Sequence, residues 1–187
     1  MANRNTQGFG LIAAGTLGQT PATSGQGKYK IDAGSTTTIY NGAAVASSAG
    51  YIIDGQTTDA PILGVLNGIF FNAATTLKPT FSNFYKQPIT PANSEDIDAF
   101  VFDNPQQQYV VATDAAVAQS GYLETYDMNT SAGDDITGKS SATLDIGDTS
   151  ADAASFRLLR SAEDPENDEN AAFRSVVVCI NLIELQS

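Results

Sequence analysis

The run Glu163-Asp164-Pro165-Glu166-Asn167-Asp168-Glu169-Asn170 is the densest set of metal-type donors in the 187-residue chain. Carboxylates and amides at alternating positions suit Ca²⁺, which takes six to eight oxygens at about 2.4 Å. The run departs from an EF-hand loop, because the glycine at the sixth position and the closing glutamate are missing. Gly133-Asp134-Asp135, and Asp145 with Asp148, add further carboxylates. A solvated acidic loop accounts for the same residues, and no metal site is assigned to them. Two carboxylates at suitable separation would also serve as acid and base in glycoside hydrolysis. Sugar sites lean on aromatic platforms, however, and this chain has no Trp.

Other chemistry is thinner still. Gly8-Phe9-Gly10-Leu11-Ile12-Ala13 fits G-x-G-x-x-A, but a dinucleotide loop needs a strand before it and a helix N-terminus after it. Only seven residues precede it, and Thr16-Leu17-Gly18 follows without helical character. Cys179 lies in the apolar run Val176-Val177-Val178-Cys179-Ile180, where a thiol behaves as a small hydrophobe. The chain has no His, so it lacks an imidazole base and any Ser–His or Cys–His pair. One Cys also precludes an internal disulfide. We therefore expect a non-enzymatic protein without cofactor.

Aromatic residues are the remaining candidates for function. Lys78-Pro79-Thr80-Phe81-Ser82-Asn83-Phe84-Tyr85 carries three aromatics in five residues and closely follows Phe70 and Phe71. Core packing under a loop is one reading of this cluster. The other is an exposed contact surface, since aromatic residues are enriched at the centres of interfaces. The candidate partner-binding residues are Phe70, Phe71, Phe81, Phe84 and Tyr85, together with Phe9, Leu11 and Ile12 near the start of the chain.

The elements that must position these residues read as β. Lys28-Tyr29-Lys30-Ile31 alternates polar and apolar, as a half-buried strand does. Thr36 to Tyr40 and Ala43 to Ala46 flank Asn41-Gly42, a hairpin dipeptide, and Tyr51 to Ile53 ends at Asp54-Gly55, a second such signal. Ile62 to Phe71 is apolar and punctuated by Gly64 and Gly68, which suits a strand with a bulge or a close backbone approach. Further strands are expected at Ile97 to Phe102, Tyr109 to Ala112, Tyr122 to Met128, Ser141 to Ile146, Phe156 to Leu159 and Arg174 to Leu185. Asp114 to Gln119 is the one short helical turn expected. Short strands at such spacing predict an all-β sandwich or barrel of antiparallel strands. Residues 1–27, rich in Gly, Thr, Ser, Gln and Asn, predict an extended N-terminal arm, leaving 28–187 as the β domain.

Charge is distributed unevenly. The chain holds 9 Lys+Arg against 21 Asp+Glu, a net charge of −12. Residues 95–170 hold seventeen acids against three bases, a net −14, while residues 1–94 hold three acids against five bases, a net +2. Such a split predicts two faces with different neighbours, or a solvated acidic surface that promotes solubility. The acidity disfavours binding to nucleic acid or anionic lipid. The longest apolar run, Val176 to Ile180, falls far short of the ~20 residues that span a bilayer, and Phe9 to Ala14, broken by Gly10, is short for a signal core. A soluble protein without membrane contact is expected.

Asp59-Ala60-Pro61-Ile62-Leu63-Gly64-Val65, Gly68-Ile69-Phe70-Phe71 and Lys78-Pro79-Thr80-Phe81-Ser82-Asn83 together carry a resemblance. With Asp164-Pro165-Glu166-Asn167-Asp168 and the closing Asn181-Leu182-Ile183-Glu184-Leu185, the chain resembles small structural proteins of tailed-phage virions, of the marine and cyanobacterial type. The resemblance spans roughly residues 28–185, and its motifs are structural rather than catalytic. It implies a capsid decoration (cement) protein on the exterior of the virion, with the major capsid protein as partner. It also implies a homo-oligomer, a trimer matching the local symmetry of the shell. A head-fibre protein, or a tail module that binds a receptor or carbohydrate, is the alternative.

Overall fold

A computed structural model describes the chain apart from residues 1, 2, 4, 19–24, 57–60, 130–131, 148–153, 169, 182 and 187. Asp59, Ala60, Asp148, Glu169, Leu182 and part of the 1–27 stretch therefore lie outside the described residues. Strands run β1 (Ile12–Thr16), β2 (Gly27–Ile31), β3 (Ala44–Ser48), β4 (Tyr51–Asp54), β5 (Gly64–Asn72), β6 (Pro79–Ser82) and β7 (Ile97–Phe102). They continue as β8 (Gln107–Ala112), β9 (Thr125–Tyr126), β10 (Met128–Asn129), β11 (Thr143–Leu144), β12 (Phe156–Ser161) and β13 (Ser175–Ile180). One sheet has the order β1-β8-β13-β12-β9, and the other has the order β2-β7-β5-β3-β4, with β6 added along the far half of β5. β10 and β11 make a two-stranded ribbon. The pairs between these strands are antiparallel, so the chain is an all-β, sandwich-like fold.

Two cores form. The first fills the space between the sheets, with Tyr109, Val111, Phe156, Leu158, Val176 and Val178 meeting Ala44, Ile62 and Val65. β13 is the central strand of its sheet, so all six of its residues are buried, which is why its sequence runs apolar without alternation. Cys179 is one of them, and burial pushes its thiol pKa up against a smaller opposing effect of Arg157. The second core lies inside the six-stranded sheet, which curls until β4 approaches β2 without pairing to it. Ile31, Ile52, Leu66, Ile69, Tyr85, Ile97 and Val101 fill it.

Three expectations are corrected. The stretch expected to be an arm is built into the body over residues 3 and 5–18. Leu11 joins the first core, β1 pairs antiparallel with β8, and Asn3 donates from Nδ2 to the carbonyl of Ala172 at 2.8 Å. Glycine makes this possible: a Cβ at Gly8 would stand 2.1 Å from the Ser141 carbonyl oxygen, so only a bare backbone approaches so closely.

The hairpin expected at Asn41-Gly42 lies elsewhere. β3 and β4 are joined through Ala49 and Gly50, both at positive φ (51° and 87°), as a two-residue hairpin loop demands. Asn41-Gly42 is instead a junction. Leu11 N–H donates to the Gly42 carbonyl at 2.8 Å, Gly42 N–H to the Leu66 carbonyl at 2.9 Å, and Ser140 N–H to the Asn41 carbonyl at 2.9 Å. Of Thr36 to Tyr40, only Ile39 pairs, in a bridge to Tyr85.

Asp114 to Ala118 is not helical, and a 3-10 turn begins only at Gln119, covering Gln119–Gly121. Asp114 is committed to the ribbon instead: its N–H donates to Leu144 and its carboxylate accepts from Ile146 N–H. Asp103-Asn104-Pro105 turns the chain and carries it from one sheet to the other, from β7 to β8.

Candidate functional site: an aromatic shelf and an apolar-tipped loop

β7 alternates, with Ile97, Ala99 and Val101 buried in the second core and Asp98 and Phe100 on the opposite face. Register places Lys28 and Phe100 side by side, and likewise Lys30 and Asp98, Asp98 and Phe70, and Phe70 and Phe81. One outer face therefore carries Phe70, Phe81 and Phe100 beside Lys28, Lys30 and Asp98. The Phe81 and Phe100 ring centroids stand 6.3 Å apart at 36°, and Phe81 is 63% exposed. Lys28 Nζ and Lys30 Nζ lie 2.7 and 2.6 Å from the two oxygens of Asp98. Burial pushes the Asp98 carboxyl up, but both lysines outweigh it and hold it below the usual carboxylate range. Two cations thus share one carboxylate, and Asp96 and Glu95 also act on Lys30.

A tight loop follows the ribbon strand β10. Asp134 accepts from Ile136 N–H and from the Thr137 hydroxyl, each at 2.9 Å, and its own carbonyl accepts from Gly138 N–H at 2.7 Å. The backbone hydrogen bond from Ile136, then that from Thr137 Oγ1, holds the Asp134 carboxyl low. Asn83 Nδ2 donates to the Thr137 carbonyl at 2.7 Å. Tyr40 donates its phenol proton to Asp135 at 2.8 Å, stacks on Phe84 with centroids 5.8 Å apart, and Lys86 lies 3.1 Å from the other Asp135 oxygen. Gly138 has φ +71° and presses on the Phe84 ring, so no side chain fits there. At the tip of this bonded loop stands Ile136, 93% exposed.

The residues singled out from sequence separate into groups. Phe70 and Phe81 share the shelf, and Phe84 supports the loop through Tyr40. Phe71 packs against the second core, and Tyr85 is fully buried with its phenol donating to the Ser35 carbonyl at 2.8 Å. Leu11 is buried and Phe9 half-buried, while Ile12 is exposed on β1 at the edge of the other sheet. Phe100 was not singled out, although its placement beside Asp98 follows from the alternation of Ile97 to Phe102. Ile136 carried no sequence signal at all, being a lone apolar residue among polar neighbours.

The acidic 163–170 loop is tied to the protein rather than open. Asn167 donates to the Ser175 carbonyl and accepts from Ser175 N–H, mimicking a strand pair at 2.8 and 2.9 Å. Asp168 N–H donates to the side-chain oxygen of Asn3, and Asp164 accepts from Glu166 N–H. Among the described residues no group of three or more His, Cys, Asp or Glu is arranged to hold a metal ion. An open recess of about 440 Å³ is lined by Val117, Tyr126 and Ile146 together with small residues such as Ala116, Ser120 and Gly121, with Glu124 as its one carboxylate. Compared with family models, curated proteins and solved structures, the chain matches none.

Proposed function

We propose that the chain is a non-enzymatic virion structural protein, a capsid decoration protein that binds the outside of the major capsid shell as a homo-oligomer, and that the aromatic shelf is its contact surface. The observation that carries this reading is the shelf itself: three phenylalanines on the outer face of a sheet, in a molecule of net charge −12. Interface centres are enriched in aromatic residues, and the shelf supplies three of them beside the Lys28–Asp98–Lys30 ion pairs. Acidic groups elsewhere keep decorated particles apart in solution. The exposed Phe81 ring would equally suit a tail module that stacks on a receptor sugar, and location in the particle separates the two. Binding to particles stripped of this protein tests the proposal. Phe81→Asp weakens binding by about 30-fold or more if the shelf is an interface centre, and unchanged binding overturns it.

A further inference from the structure

We propose that Asn41-Gly42 is a modification site sealed by the fold: the pair is inert in the native protein, deamidates once the chain unfolds, and conversion breaks the junction that it forms.

Asparagine followed by glycine is the pair most prone to deamidation, because glycine leaves the following amide nitrogen unhindered. The Gly42 nitrogen attacks Asn41 Cγ and gives up its proton, ammonia leaves, and a succinimide ring closes. Water then opens the ring at either carbonyl. One product is aspartate; the other is isoaspartate, with the main chain rerouted through Cγ. The chain has two such pairs, Asn41-Gly42 and Asn67-Gly68.

In the native protein both nitrogens of this reaction are engaged. Gly42 N–H, the nucleophile, donates to the Leu66 carbonyl at 2.9 Å, and Asn41 Nδ2, the leaving group, donates to the Asn67 carbonyl at 2.5 Å. Ala43 N–H closes a β-turn onto the Tyr40 carbonyl at 3.1 Å, with Gly42 buried at φ +80°. A Cβ at Gly42 would stand 3.0 Å from the Leu11 carbonyl oxygen, so this backbone has little room to swing. Attack therefore requires the junction to open. Its neighbours Leu11, Ala43 and Leu66 are all buried, which makes that opening costly.

Conversion would undo what the pair holds together. Asn41 N–H donates to the Gly138 carbonyl and the Asn41 carbonyl accepts from Ser140 N–H, each at 2.9 Å, while Gly42 receives Leu11 from the start of the chain. Aspartate replaces the Nδ2 donor with an acceptor that faces the Asn67 carbonyl. Isoaspartate adds a carbon to the backbone and moves these bonds out of register.

Peptide mapping by mass spectrometry tests the seal on the full chain, held at mildly alkaline pH with and without guanidinium chloride. In denaturant both asparagines should convert to aspartate and isoaspartate. In the native protein Asn41 should convert at least about 10-fold more slowly, and a smaller difference overturns the seal. Chains aged in denaturant should lose native circular dichroism on refolding, and full recovery after conversion of Asn41 overturns the claim that the junction breaks. Asn41→Asp should have a lower urea midpoint than Asn41→Ser, which removes the reactive amide without adding a carboxylate. An equal or higher midpoint for Asn41→Asp overturns that claim as well.

Discussion

Phe81 lays its ring across Gly68: a Cβ built on that glycine would stand 2.7 Å from Phe81 Cζ and 3.0 Å from the carbonyl oxygen of Ser82. The absent side chain on β5 is what lets an aromatic on β6 lie along the sheet and reach Phe100 on β7. The shelf depends on this one missing carbon.

Gly68→Ala is therefore expected to destabilise the chain. Overpacking costs about 1–3 kcal/mol, against a gain of about 0.5–1 kcal/mol from removing a strand glycine. The net loss should be about 1 kcal/mol, read as a lower urea midpoint at unchanged slope. Combining it with Phe81→Ala should remove most of the loss, since the ring is then gone. A more stable single variant would show that the ring does not press on this backbone.

Alkaline titration probes the curled sheet. Burial, then the 2.7 Å hydrogen bond to Asp103, pushes the Tyr29 phenol from 10 up to about 12. The folded state thus holds this proton more tightly than the unfolded one. The contribution is fully present below pH 10 and is lost as the pH rises through about 12. Asp103→Asn should lower the Tyr29 value, seen as earlier phenolate absorbance in the folded protein. An unshifted curve would contradict the contact.

The beginning of the chain should behave as core. Leu11→Ala is expected to cost about 2–5 kcal/mol, the usual range for a buried leucine. Deleting residues 1–17 removes both Leu11 and β1, exposing the edge of β8. The deletion should lower the melting temperature sharply. An unchanged melt would return this segment to the status of a free arm.

Cys179 should resist thiol reagents in the folded protein and react once the chain is denatured. It is buried in the central strand, and burial raises its pKa, so little thiolate is present. Rapid modification of the native protein would contradict that burial.

Much of this fold was legible because its signals are local. The alternation in Lys28 to Ile31 and in Ile97 to Phe102, the Val-rich run at 176–178 and the glycines of β5 each specify their own strand. β5 carries the expected irregularity, a register shift against β7 between Leu66 and Gly68. What failed depended on distant partners. Asn41-Gly42 has a hairpin's dipeptide, but its backbone groups are claimed by Leu11, Leu66 and Ser140. Asn3 and Leu11 are held by residues more than a hundred positions away or by the core, which composition does not report.

The candidate site divides along the same line. Phe70 and Phe81 were legible as a cluster, whereas their separation from Phe71 and Tyr85 required register, because neighbours on a strand point to opposite faces. The charge split along the chain is not a split in space. Lys28 and Lys30 of the first half sit on Asp98 of the second, and Lys86 on Asp135.

The proposed role is to coat the outer surface of a capsid. Electron microscopy of purified particles, with the chain labelled by antibody, tests it most directly. Many copies regularly placed on the outside of the head are the predicted result. A few copies at the tail, or none on the particle, would contradict it.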